Sequence, residues 1–404
     1  MQNTRKITDD IFYLGVSSRR LNLFENTYPI PDGMSYNSYL IKDDKTVLLD
    51  TVDRTVGDLF IENLEYALDG RKLDYVVVNH MEPDHCALLA EIMLRYPELT
   101  LVLNTKTMGM IKQFFGMDVA DKSIVVKEGD TLETGHHTLS FVMAPMVHWP
   151  EVMMTYDATA KILFAADAFG TFGALSGNIY ADAIDFERDF VPEARRYYTN
   201  IVGKYGPQVM AVLKKAQTID IQMICPLHGP IWRKDLGLIL DKYAHWASYE
   251  PEEIGVVIAY ASIYGHTENA AEILGAKLAD KGVENIRIYD TSATHPSYIL
   301  GECFRYSHMV FASSTYNNGL FPTMETLLSD ICAHNLQNRH IALIENGTWA
   351  PQSGKIMTNT LSALKNTELL EGKVTLKSAL NADSYAGIEA LADIIAESVK
   401  AAKA

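Results

Sequence analysis

At 404 residues the chain is longer than one hydrophobic core usually grows, and its 48% hydrophobic content is ordinary for a globular protein, so two domains are expected. Lys and Arg total 35 against 51 Asp and Glu, and the net charge of −16 would repel a nucleic-acid backbone and an anionic membrane alike. Four dispersed cysteines without a CxxC pair, no N-terminal apolar core before a cleavage site, and no run of about 18 apolar residues together point to a cytoplasmic protein.

From Ile7 to about Pro230 short β-rich runs end at turn residues: "SYLI", "KTVLLDT", "LDYVVVNH", "LTLVLNT", "SIVVKEGD", "TLSFVMAP" and "AKILFAADAF". A few helical stretches interrupt them, such as "VGDLFIENLEYALDG" and "ALLAEIMLRY". After the helical "GLILDKYAHWASY", the acidic "EPEEI" makes a reasonable boundary, giving domains 1–250 and 251–404. Beyond Ile254 apolar strands alternate strictly with amphipathic helices, from "IGVVIAYAS" to a final helix starting near Tyr385. Five strands and five helices in that rhythm imply a doubly wound parallel sheet with right-handed crossovers.

In "LDYVVVNHMEPDHC" a buried strand runs into a loop and then a helix, presenting His80, Glu82, Asp84 and His85 around one mouth. Imidazoles and carboxylates are ligands for zinc and for non-haem iron. Taken alone, Glu82 and Asp84 are explained as well by capping the helix that follows. His148 in "APMVHWPE", Asp167 in "LFAADAFG" and His228 in "CPLHGP" shift the balance, because each follows an apolar strand where a buried polar group needs a partner. The order HxExDH, His, Asp, His resembles the metallo-β-lactamase superfamily, with Glu82 where its hydrolases carry histidine. A third carboxylate favours a harder ion and stabilises its oxidised form, so iron suits the set better than zinc.

The first βα turn of the second half is "YASIYGHTENAA", where Ser262, Ile263, Tyr264, Gly265, His266 and Thr267 could wrap a phosphate at the positive end of a helix. The absence of a GKS/T lysine disfavours a nucleoside triphosphate. Two later loops reach the same sheet edge: Ser314, Thr315, Tyr316, Asn317, Asn318 and Gly319, then Asn346, Gly347, Thr348, Trp349 and Ala350. Tyr316 and Trp349 can stack on a planar ring. The three loops resemble flavodoxin, which implies FMN.

Together the halves closely resemble class A flavodiiron proteins over about residues 4 to 402, with the match extending to "HWP", "DAFG" and "HGPIWRKD". The resemblance implies an αββα metallo-β-lactamase-like sandwich followed by a flavodoxin-like domain. It implies two irons, one held by His80, Glu82 and His148, the other by Asp84, His85 and His228, with Asp167 bridging, and with His85 replaced by water in some members. It further implies reduction of O2 to water or of NO to nitrous oxide, and a head-to-tail homodimer, or a pair of such dimers, that sets each FMN beside the partner's irons. No rubredoxin-like CxxC module follows the flavodoxin-like part, so electrons are expected from a separate donor such as rubredoxin or a reduced deazaflavin. Glu25 stands where some members carry a pocket histidine, which leaves open whether O2 or NO is preferred. Tyr36, Asn37 and Tyr39 in "SYNSYL" read as strand-packing residues. Two other readings remain: a binuclear zinc hydrolase with a flavodoxin-like accessory domain, and a flavin electron carrier with a degenerate metal half.

Overall fold

A computed structural model describes residues 2–403 and divides them into two compact units. The first runs to Tyr198 and adds Pro207–Ala244; the second comprises Thr199–Gly206 and everything from His245 onward.

The first unit is a sandwich of two sheets. One has seven strands in the order Arg5–Lys6, Ile11–Tyr13, Tyr39–Lys42, Thr46–Leu49, Tyr75–Val77, Thr100–Leu103 and Ser123–Val125. Its first four strands pair antiparallel and the rest parallel. The other sheet runs Thr131–Glu133, Thr138–Met143, Met153–Asp157, Ile162–Phe164 and Met223–Cys225. Alternation decides which side chains meet between the sheets. Ile41, Val47, Leu49, Val77 and Val102 from one sheet join Leu139, Phe141, Met153, Ile162 and Phe164 from the other in a single core. The intervening Leu40, Leu48, Val76 and Leu101 are equally buried on the outer face, the side packed by helices such as Gly57–Leu68. The sequence reading names no helix at Thr105–Phe115, although its end signals are present. Asn104 accepts hydrogen bonds from the N–H groups of Lys106 and Thr107, and Gly116 takes the left-handed conformation at the other end (φ 67°).

In the second unit the principal strands are all parallel, in the order Ile286–Asp290, Glu253–Ala261, Tyr306–Tyr316, His340–Asn346, then Glu368–Leu369 and Val374–Leu376 one after the other along the last edge. The first strand therefore lies between the second and third, which creates a switch point beside its carboxyl end. Helices His266–Asp280 and Ala382–Lys403 cover one face, burying Ala270, Leu274, Leu391 and Ile395 against Ile258, Val310 and Ile344. The final helix starts three residues before the expected Tyr385, its first turn organised by Asn381 and Ser384 exchanging side-chain-to-backbone bonds.

Candidate metal centre and flavin cavity

Strand ends in the first unit deliver all seven predicted metal ligands to one buried place. The loop after Tyr75–Val77 is fixed by Asp50, whose Oδ1 accepts from the Asn79 N–H at 2.7 Å and the His80 N–H at 3.3 Å, and whose Oδ2 accepts from Asn79 Nδ2 at 2.8 Å. The short helix Pro83–Cys86 then turns Asp84 and His85 inward. His228 is braced from the other side: its Nδ1 donates to the Ser35 carbonyl at 2.7 Å, and Gly229 N–H donates to Ser35 Oγ at 2.7 Å.

The donors form two groups. His80, Glu82, His148 and Asp167 converge at one point, and Asp84, His85 and His228 at another. Asp167 divides its oxygens between them. Oδ2 lies 3.2 Å from Nε2 of both His80 and His148, while Oδ1 lies 2.9 Å from His85 Nε2 and 3.7 Å from His228 Nε2. Glu82 Oε2 is 3.0 Å from His148 Nε2 and 3.3 Å from His80 Nε2; Asp84 Oδ2 is 3.2 Å from His228 Nε2 and 3.4 Å from His85 Nε2.

These atoms satisfy one another poorly. His80 Nε2, both oxygens of Asp84, both ring nitrogens of His85, both oxygens of Asp167 and His228 Nε2 are buried without a hydrogen-bond partner among the described residues. Orphaned groups are costly in a protein interior, and a pair of cations would satisfy this set. The electrostatics agree. Burial opposes charge on His80, yet Asp167, Glu151 and Glu82 outweigh it and hold the imidazole well above its usual range. His85 and His148 are each pushed up to about 9 against burial, the former by Asp84 and Asp167, the latter by Asp167 and Glu82. Burial would raise Asp167, but the imidazoles of His85 and His80 hold it well below the usual carboxylate range. A pocket that stabilises added protons on its imidazoles also stabilises a metal cation in place of those protons.

Several flanking groups were not singled out as functional from sequence. Tyr197 is fully buried, its ring 5.6 Å from that of His228, and its hydroxyl has no partner among the described residues. Burial followed by the charge of Asp167 raises its pKa well above the usual value. Glu151 accepts from His80 Nδ1 at 2.8 Å. Of the strand-packing trio, Asn37 and Tyr39 brace the His228 turn, Asn37 Nδ2 donating to the carbonyls of Pro226 and Gly229 and the Tyr39 hydroxyl to that of Pro226. Tyr36 instead packs edge-on against His228 at 5.6 Å. Glu25 sits in the turn between Leu23–Phe24 and Tyr28–Pro29 (φ 48°). Though much of the residue is exposed, its carboxyl is pushed up to about 8 by desolvation, then by a hydrogen bond to Glu82 and the negative charge there.

In the second unit the three predicted loops surround a cavity of about 570 Å³. All the residues named from sequence line it except Gly265 and Gly319, and Ser378 joins them. Gly265 begins the helix His266–Asp280 in the left-handed region (φ 86°), which glycine adopts without steric cost, and its N–H donates to Ser262 Oγ at 3.0 Å. The polar floor is knit beforehand: Thr267 Oγ1 and Ser314 Oγ lie 2.9 Å apart, and Asn346 Nδ2 donates to Thr267 Oγ1 at 3.2 Å and to the Ser378 carbonyl at 2.8 Å. At the rim Tyr264 and Trp349 are 89% and 88% exposed, leaving aromatic faces open to a flat ring or a partner. Ser378 escaped the sequence reading because it follows the last strand, outside the three loops, and is tied in by Asn346 at long range.

Residues 34–229 match the family described as ODP family beta lactamase, and residues 258–382 match Flavodoxin. The chain is similar to a nitric oxide reductase of Moorella thermoacetica, 32% identical over 89% of this chain and 90% of that one. It is also similar to an anaerobic nitric oxide reductase flavorubredoxin of Aeromonas hydrophila, 31% identical over 85% of this chain and 70% of that one. The rubredoxin oxygen:oxidoreductase of Desulfovibrio gigas shares the fold with a TM-score of 0.93 and 27% identity, with 99% of each chain covered. A lactamase-like unit with two converging donor groups, a flavodoxin unit with a loop-lined cavity, and relatives of this kind along most of their length lead to one conclusion: the chain belongs to the flavodiiron proteins.

Proposed function

We propose that this chain is an oxidoreductase that reduces dioxygen to water or nitric oxide to nitrous oxide with electrons from an external donor. Residues 1–250 carry two irons in this reading and residues 251–404 carry FMN. Bound there, the irons would supply one-electron valence changes and the flavin would take electrons singly or in pairs. His80, Glu82 and His148 would hold one iron and Asp84, His85 and His228 the other, with Asp167 giving one carboxylate oxygen to each. The division of Asp167 between the two donor groups is the observation that carries this assignment. Glu82 adds a third carboxylate to the set and favours iron over zinc. Tyr36 and Tyr197 wall the pocket with aromatic rings, which limits water at the reacting gas.

In the other half, the turn from Ser262 to Thr267 would hold the FMN phosphate at a helix N-terminus, and the loops bearing Tyr316 and Trp349 would flank the ring. The donor is a separate protein or reduced cofactor, rubredoxin or a deazaflavin being suited to the task. Exposed Trp349 and Tyr264 at the cavity rim support a head-to-tail homodimer in which a second copy covers the flavin. A cytoplasmic setting accords with four cysteines that are all free, and among the described residues no helix is long and apolar enough to cross a membrane.

The test is anaerobic purification with metal analysis and a flavin spectrum, then O2 and NO consumption by the reduced protein. About two irons and one FMN per chain with gas uptake are expected. A redox-silent zinc pair with no uptake would refute the reading and favour a hydrolase.

A further inference from the structure

Glu151 directly follows the "HWP" turn and its side chain is fully buried. Oε1 accepts from His80 Nδ1 at 2.8 Å and from the Met81 backbone N–H at 2.9 Å, whereas Oε2 is buried with no hydrogen-bond partner among the described residues. Asn104 Nδ2 pins the same residue by donating to its carbonyl at 2.6 Å. A carboxylate can only accept, so Nδ1 of His80 carries a proton and Nε2 is the nitrogen that faces the metal pocket. Burying a carboxylate with one oxygen unpaired costs stability. The charge itself therefore has a use.

The two imidazoles on the other side are backed differently. His228 Nδ1 donates to a neutral carbonyl, that of Ser35, and His85 Nδ1 is buried with no hydrogen-bond partner among the described residues. A carboxylate behind a ligating imidazole fixes its orientation and makes its other nitrogen a stronger donor, more so than a neutral carbonyl does. The carboxylates in direct contact with the imidazoles are also uneven: Glu82 and Glu151 both touch His80, Asp84 touches His85 and His228, and Asp167 is shared.

Resting on the metal reading above, we propose that Glu151 is a positioning residue that makes the two halves of the centre unequal. Through His80 it tightens the Glu82 side, and the Asp84, His85 and His228 side gives up its ion first.

The full-length protein is loaded anaerobically with iron(II), and in a parallel arm with zinc(II), and metal content per chain is followed against a graded chelator. Wild type is expected to lose one ion well before the other. His85→Asn makes the early-lost ion still easier to remove and leaves the tightly held one unchanged. Glu151→Gln keeps an oxygen for His80 and Met81 while deleting the charge. It should weaken the retained ion by about ten- to a hundredfold and close the gap between the two losses. A purely structural role for Glu151 would shift unfolding of the metal-free protein and leave the order of loss unchanged, which would overturn the proposal. If Glu151→Gln does not fold, wild type decides: release of both ions together overturns the idea, and stepwise release with His85→Asn sparing the late ion supports it. A protein that binds zinc and consumes no gas would refute the proposed oxidoreductase function, yet the zinc arm still reads the order of loss.

Discussion

His137 offers a test of how the sandwich is held together away from the metals. Its Nδ1 donates to Asp157 Oδ2 at 2.6 Å and its Nε2 to Asp10 Oδ2 at 3.0 Å. Asp157 ends a strand of one sheet and Asp10 precedes a strand of the other, so a doubly protonated imidazole clips the two sheets. The bond to Asp157 outweighs burial, and Asp10 adds to it, raising the imidazole from 6.5 to about 9. At about 1.4 kcal/mol per unit that rise corresponds to about 3 kcal/mol. Asp10 is 37% exposed, so solvent screens its share, and about 2 kcal/mol is the figure to expect. The direction follows from the raised value. The proton is held more tightly in the folded state, so the clip acts fully below the unfolded pKa of 6.5 and is lost as pH rises through about 9. Urea unfolding of the full chain is measured from pH 6 to 9.5 for wild type and His137→Leu, following a probe in the sandwich unit. Wild type should lose about 2 kcal/mol across that window relative to the variant, whose curve lacks this step. A difference between the two that stays constant with pH would refute the ion-pair account and leave only packing.

Two other outcomes are expected. Asp50→Ala strands the N–H and side-chain amide of Asn79 and weakens the hold on the His80 N–H, all buried, and should cost about 2–5 kcal/mol in unfolding experiments together with lower metal content on isolation. Unchanged stability and metal would show that the loop is held by something else. Thr267→Val keeps the shape of a buried residue but deletes the hydroxyl shared by Ser314 and Asn346, and it should weaken FMN retention by about tenfold in flavin-release titrations; equal retention would place the hydroxyl outside the binding floor.

Most of the architecture was legible in the order of apolar runs. Period-two strands such as Thr46–Leu49 and Thr138–Met143, and the strict strand–helix rhythm after Ile254, are local properties of the chain. Some donors were legible for a related reason: His80, Asp167 and His228 each come three residues after a buried strand and stand out against its apolar residues, whereas Glu82, Asp84 and His85 were marked by their spacing within one motif. Helix Thr105–Phe115 buries only Thr107 and Ile111, so its apolar stripe is thin and its local signal is confined to its ends, the cap at Asn104 and the left-handed Gly116.

What supports those donors lay beyond local pattern. Glu151 meets His80 across 71 positions of sequence, Ser35 meets His228 across 193, and Asp50 meets Asn79 across 29. An unpaired buried group announces that it needs a partner but not which distant residue supplies it, because hydrogen bonding is decided by direction and distance after the strands have paired. The residue types alone therefore determined that this chain gathers carboxylates and imidazoles at one sandwich edge and wraps a cavity with three loops at a sheet switch point. Only the tertiary structure decided which distant residues stand behind the donors, a carboxylate of Glu151 behind His80 and a neutral carbonyl of Ser35 behind His228.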